Sequence, residues 1–101
     1  MANDPMELHL TEHAKMAYSS LGPDDRRLID ASFEHLQNWR NDDFIRSQSK
    51  RLGSDENIYV FRTSTDIRIA FSITDNRLSV LSIFRKEALR TFEALAEHKS
   101  Q

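Results

Sequence analysis

The chain has 101 residues, enough for one small domain spanning residues 1–101. It contains no Cys, which excludes a disulfide framework, thiolate chemistry and a Cys-based zinc site. A formal net charge of −2 excludes a generally basic nucleic-acid binder, and no apolar run nears the ~20 residues of a membrane span. The stretch "MANDPMELHL" lacks the basic start and apolar core of a signal peptide, so the expected location is the cytoplasm. The charge is unevenly placed. Residues 1–45 carry nine acids and four bases, whereas residues 46–92 carry five acids and nine bases. Such a chain can be two-sided, with a positive half for phosphates; the competing reading is a mixed, solvated surface.

"MELHL" fits a first strand, with Met6, Leu8 and Leu10 on one face and Glu7 and His9 on the other. Thr11 is an N-cap candidate for the helix "TEHAKMAYSSL", whose stripe is Ala14, Ala17, Tyr18 and Leu21. Gly22-Pro23 breaks the chain, and Pro23, Asp24 and Asp25 suit the first turn of a second helix, "GPDDRRLIDASFEHLQNW". Its Leu28, Ile29, Phe33, Leu36 and Trp39 recur at helical spacing, and the short break makes the two helices an antiparallel hairpin. "NDDFIRSQSKRLGSDEN" reads as a polar, partly basic connector. Three extended runs follow, "IYVFRT", "IRIAFSIT" and "RLSVLSIF", and helical spacing returns through Leu89, Phe92, Leu95 and Ala96. The expected fold is α+β: an N-terminal strand and a helical hairpin packed on an antiparallel sheet of about four strands, with a C-terminal helix.

Asp75-Asn76 suits a two-residue hairpin turn, because Asp and Asn tolerate positive φ. An unbroken register from that turn pairs Ile73 with Leu78, Phe71 with Val80, Ile69 with Ser82 and Ile67 with Phe84 on the core face. The opposite face then carries Thr74 with Arg77, Ser72 with Ser79, Ala70 with Leu81 and Arg68 with Ile83. Arg85 falls opposite Asp66. This register makes Arg68 and Arg85 diagonal neighbours on one face, roughly 7 Å apart at the backbone. Two guanidinium groups so placed call for an anion, either Asp66 or a phosphate, whose oxygens guanidinium forks grip in pairs. The alternative is an ordinary solvated arginine with its stem on a neighbour.

The order of these features resembles the RelE/ParE-type toxins of bacterial type II toxin–antitoxin systems. The resemblance runs from about Met6 to about Leu95. It rests on a basic-Leu-Gly step (Lys50, Arg51, Leu52, Gly53), a strand with aromatics and arginine (Tyr59 to Arg62), Arg68 inside an apolar strand, and Arg85 after the last strand. It implies a RelE-like fold and, for members with RelE-like activity, a ribosome-associated, metal-independent endoribonuclease that cuts mRNA and so inhibits translation. Arg68 and Arg85 would then be catalytic, holding the scissile phosphate and stabilising its extra charge, with Arg62, Lys50 and Arg51 binding substrate and no cofactor or metal. The implied partner is a cognate antitoxin, with the ribosome and mRNA, or else DNA gyrase, as target. The alternative is a non-enzymatic member: a ParE-like gyrase inhibitor or a catalytically degenerate domain that only binds a partner.

Several departures bear on that choice. The family's C-terminal tyrosine falls at or near Phe92, which has no hydroxyl. The strand that often carries lysines has Arg62 and no Lys, and arginine is a poor general acid or base. The loop from Arg62 to Arg68 is a residue longer than usual, which leaves open the face taken by Tyr59 and Phe61. Typical members are strongly basic, and this chain is slightly acidic. Among other groups, His9, His13 and His35 read as structural or surface residues. His98, Tyr59, Tyr18 and Lys86 are the remaining candidates for proton transfer. With Gly22 and Gly53 as the only glycines, the chain has no glycine-rich phosphate loop.

Overall fold

The computed structural model describes residues 5–52 and 57–88. The expected C-terminal helix, with Phe92 and His98, and the Gly53 of the basic-Leu-Gly step lie outside those residues. Strand β1 (Glu7–Leu10) leads into α1 (Glu12–Ser19) and α2 (Pro23–Leu36). A 3-10 turn (Trp39–Asn41) and a short helix α3 (Asp43–Ser47) follow, then β2 (Ser49–Leu52), β3 (Ile58–Arg62), β4 (Ile67–Thr74), β5 (Arg77–Arg85) and a second 3-10 turn (Lys86–Ala88). The fold is α+β, as expected, with two additions. The segment read as a connector holds α3 and a fifth strand, β2. The sheet order is β1-β5-β4-β3-β2, and β1 runs parallel to β5, so the sheet is mixed.

The helix ends follow from local chemistry. Thr11 Oγ1 accepts a hydrogen bond from the Ala14 amide at 3.1 Å, the N-cap expected for α1. Gly22 caps α2 and Pro23 opens it, where the missing proline N–H costs nothing. Asp42 caps α3 by accepting from the Phe44 and Ile45 amides. The hairpin of α1 and α2 is closed by stacking of Tyr18 on Phe33 and by Tyr18 donating its hydroxyl to Asp30 at 2.8 Å.

The helices cover one face of the sheet. There Met6, Ala14, Ile29, Phe33, Leu36 and Ile45 meet Phe61, Ile67, Ile69, Phe71, Leu78, Val80 and Ile83. Trp39 ends up in the 3-10 turn rather than in α2, and its ring packs on Tyr59 and Phe71 at centroid distances of 4.9 and 5.4 Å. Tyr59 and Phe61 therefore point to the helix side, which settles the loop parity left open by the sequence. A second apolar cluster lies on the far face: Leu52, Val60 and Ala70, with Ile58, Leu81 and Phe84 against it.

The turn is as expected. Asp75 has φ 54°, and Thr74 faces Arg77, Ile73 faces Leu78 and Phe71 faces Val80. Beyond that point the unbroken register fails. A β-bulge between Ala70 and Phe71 inserts Leu81, so Ala70 faces Ser82, Ile69 faces Ile83, Arg68 faces Phe84 and Ile67 faces Arg85. The cause is burial. Continued alternation would put Ser82 in the helix-side core and Ile83 outside, whereas the bulge places Ile83 in that core and Phe84 in the far-face cluster. Thr11 satisfies the disrupted ladder: its amide donates to the Val80 carbonyl and its hydroxyl to the Leu81 carbonyl, both at 3.1 Å.

Candidate functional site

The bulge decides which cations meet. On the far face, Arg62 at the end of β3 stands directly opposite Arg68 near the start of β4. Lys50 of β2 faces Val60, which in turn faces Ala70. Lys50, Arg62, Arg68 and Lys86 together line an open depression of about 300 Å³, floored in part by Val60 and edged by Gln48. Its described walls bear four cationic side chains and no carboxylate, imidazole or phenol.

Arg68 is the anchor of this site. It is only 8% exposed. Its Nη1 donates to the Thr65 carbonyl at 2.8 Å and to the Ile67 carbonyl at 3.0 Å. Among the described residues no carboxylate pairs with it. A buried cation without a counter-charge is costly, so the position suits an anionic ligand. Arg62 is exposed, and its Nε and Nη2 both donate to Gln48 Oε1 at 3.3 Å, which aims the guanidinium along the rim.

The expected pairing of Arg68 with Arg85 on one face is corrected. Arg85 sits opposite Ile67, a residue of the helix-side core. Its Nη2 donates to Asp25 of α2 at 3.0 Å and its Nη1 to Asp66 at 2.9 Å. These bonds, from Asp25 first and Asp66 next, push the guanidinium above its ordinary pKa. The extra residue in β5 reverses the side to which Arg85 points. Arg51 also departs from the depression, since it faces Tyr59 and thus lies on the helix side of β2. Tyr59 is held there by Trp39 and Phe71, and Tyr18 by Asp30, so neither phenol reaches the depression. Lys86 does reach it, through the turn that follows β5. The sequence placed Arg62 and Lys50 at one site with Arg68, as the depression has them, but not the direct Arg62–Arg68 pairing or the part played by Gln48. Loop parity between β3 and β4 was the signal, and it could be read only once Phe61 was known to be buried.

No protein-family model matches the sequence, and no curated protein matches it. Solved structures do. An arginine double mutant of the Escherichia coli toxin RelE in the free state superposes with a TM-score of 0.69 at 14% identity, covering 94% of this chain and 96% of that one. The RelBE2 toxin–antitoxin complex from Mycobacterium tuberculosis gives 0.65 at 17% identity, covering 80% and 98%. A chromosomal ParDE toxin–antitoxin system from P. aeruginosa gives 0.54 at 16%, covering 79% and 95%. At this level of identity the likeness concerns the path of the chain, and in that sense the molecule has the RelE/ParE-type toxin fold.

Proposed function

We propose that this chain is the toxin of a toxin–antitoxin pair and that it cleaves mRNA at the ribosome. One observation carries the reading: Arg68, buried and without a described carboxylate, faces Arg62 at the edge of a depression walled by two further cations. In RNA cleavage the 2′-oxygen attacks phosphorus and the bond to the 5′-oxygen breaks. The phosphorus gains negative charge on its non-bridging oxygens, the 2′-hydroxyl loses a proton and the 5′-oxygen gains one. Arg68 and Arg62 suit the first task, because guanidinium forks hold phosphate oxygens in pairs and remain charged. Arginine cannot serve the second, which leaves Lys50 and Lys86 as the proton carriers on the described walls. Arg85 and Arg51 do not touch the phosphate in this reading. The superposed RelB–RelE complexes support a cognate antitoxin as partner.

A second reading is a binder without cleavage, acting on gyrase or another target. The lack of any carboxylate, imidazole or phenol on the described walls favours it. A translation extract programmed with a defined mRNA separates the two. Primer extension should show ribosome-dependent cuts with the wild type, and Arg68→Ala should reduce them about 10²–10³-fold, the usual value of one charge-stabilising donor. Intact mRNA in the presence of translating ribosomes would reject the nuclease. A supercoiling assay would then show whether gyrase is the target.

A further inference from the structure

We infer that Arg85 is a positioning residue: from the helix side of the sheet it fixes the turn that holds Arg68 on the far side. The inference rests on the reading that Arg68 binds the substrate phosphate, and it assigns Arg85 a role without substrate contact.

The path is continuous. Arg85 Nη1 donates to Asp66 Oδ1 at 2.9 Å. Asp66 belongs to the four-residue turn 63–66 that joins β3 to β4. The residue before it, Thr65, offers the carbonyl that Arg68 Nη1 grips at 2.8 Å. The same turn is cross-braced from within. Thr63 Oγ1 donates to the Ile67 carbonyl at 2.7 Å, the Thr65 amide donates to Thr63 Oγ1 at 3.2 Å, and the Ile67 amide donates to Thr65 Oγ1 at 3.3 Å. The Ile67 carbonyl, to which Thr63 donates, is also the second acceptor of Arg68 Nη1. A shift of the turn therefore moves both oxygens that seat the guanidinium.

Asp66 is gripped twice. Arg85 holds its carboxylate, and the Lys86 amide donates to its carbonyl at 2.6 Å. Lys86 is a wall of the depression, so the turn whose Thr65 carbonyl seats Arg68 also places, through Asp66, the first residue after β5. The other branch of Arg85 reaches Asp25 in the first turn of α2, outside the turn that seats Arg68. Both ion pairs are partly exposed, with Arg85 46% accessible at its side chain, and pairs of that kind add little to global stability. Their value lies in geometry. The two carboxylates also make a simple control, because Asp25 and Asp66 share the same arginine while only Asp66 belongs to the turn.

The test uses the full chain and a short single-stranded 2′-O-methyl RNA, which lacks the attacking hydroxyl and reports binding alone. Affinity is measured by fluorescence anisotropy, and the Arg68 Nε–Hε resonance is followed by NMR without RNA. Arg85→Ala and Asp66→Asn should each weaken binding about tenfold and move the Arg68 resonance, as expected for groups coupled through one network. Asp25→Asn should change affinity less than twofold, and Arg85→Lys should recover part of the loss. The effects of Arg85→Ala and Asp66→Asn should vanish in an Arg68→Ala background. Equal losses for Asp25→Asn and Asp66→Asn, or losses that persist without Arg68, would mark Arg85 as merely structural and overturn the inference. If the resonance moves as expected but Arg68→Ala binds RNA as well as the wild type, positioning stands and the phosphate reading falls.

Discussion

Arg62 and Arg68 stand directly opposite each other in the β3–β4 pair, with no carboxylate between them among the described residues. Directly opposed side chains have Cβ atoms about 4.5–5.5 Å apart, close enough for like charges to be destabilising. The repulsion between the two like charges would be lowered by a bound anion. Inorganic phosphate should raise the melting temperature of the wild type and leave Arg68→Ala unchanged. At a hundredfold excess over Kd the gain is about 2.7 kcal/mol by mass action. Arg62→Gln should raise the phosphate-free stability by a few tenths of a kcal/mol up to about 1 kcal/mol, because it removes one of the two charges. Thermal melts of the three proteins with and without phosphate check both outcomes. A wild type indifferent to phosphate would remove the anion site.

Beside the burial of Ile83, Thr11 braces the bulge at Leu81: it caps α1 and also donates to the Val80 and Leu81 carbonyls. Replacing the hydroxyl removes a cap and strands a carbonyl together. Thr11→Ala should cost about 1–2 kcal/mol, the upper part of the range for a lost N-cap, and Thr11→Ser should cost only a fraction of that. Urea unfolding measures the difference. Equal midpoints for the two variants would mean that the bulge is held by burial of Ile83 alone.

That bulge also marks the limit of what the sequence made legible. Alternation identified β1, β3, β4 and β5, and the turn at Asp75-Asn76 placed Phe71 beside Val80. The stripes of α1 and α2 found their core partners except at Leu28, which lies outside the core cluster. A warning was present past Val80, where the unbroken register buried Ser82 and exposed Ile83. Pairwise alternation has no means of inserting a residue, so the error passed to Arg85 and moved it to the wrong face. The missed strand has a different cause. Ser49–Leu52 ends in a single buried leucine, and an edge strand of four residues with three polar side chains carries too little period to read.

Phe71 is fully buried between Trp39 and Tyr59, with Tyr59 stacked at 5.6 Å and Trp39 edge-on at 5.4 Å. It ties the 3-10 turn at Trp39 to the helix side of β4, the strand that also bears Arg68 on its other face. Phe71→Ala should cost about 3–5 kcal/mol, a large share of the 5–15 kcal/mol expected for a whole domain. Phe71→Leu should recover much of it. Chemical denaturation resolves the series, and a loss under 1 kcal/mol for the alanine would contradict the packing described.

Tyr18 supplies a pH signature. Its hydroxyl donates to Asp30, which raises the phenol above its ordinary value, with partial burial and the Asp30 charge adding in the same direction. The folded protein thus holds the proton longer than the unfolded chain. The resulting stability is fully present below the ordinary tyrosine range near pH 10 and is lost as pH rises through the folded value. Ultraviolet titration should show one phenol ionising late, and Asp30→Asn should bring it back toward the ordinary value. An unchanged titration curve in that variant would remove Asp30 as the cause.

The proposed chemistry assigns charge stabilisation to arginine and proton transfer to lysine, and the two roles respond differently to the leaving group. A general acid protonates the departing 5′-oxygen. Replacing that atom with sulfur makes the leaving group depart without a proton, so loss of the acid no longer matters. On ordinary RNA, Lys50→Gln or Lys86→Gln, whichever removes the donor, should lower cleavage about 10²–10⁴-fold, the usual contribution of general acid–base catalysis. On RNA with a 5′-bridging sulfur, the same variant should cleave nearly as fast as the wild type. Arg68→Ala should stay slow on both substrates, since the non-bridging oxygens it neutralises are unchanged. Binding of the 2′-O-methyl RNA should fall with Arg68→Ala and hold within a few-fold for the acid variant, because the acid acts only as the bond breaks. Equal loss in all three variants with no rescue by sulfur would leave the depression as a binding surface and place the proton donor elsewhere.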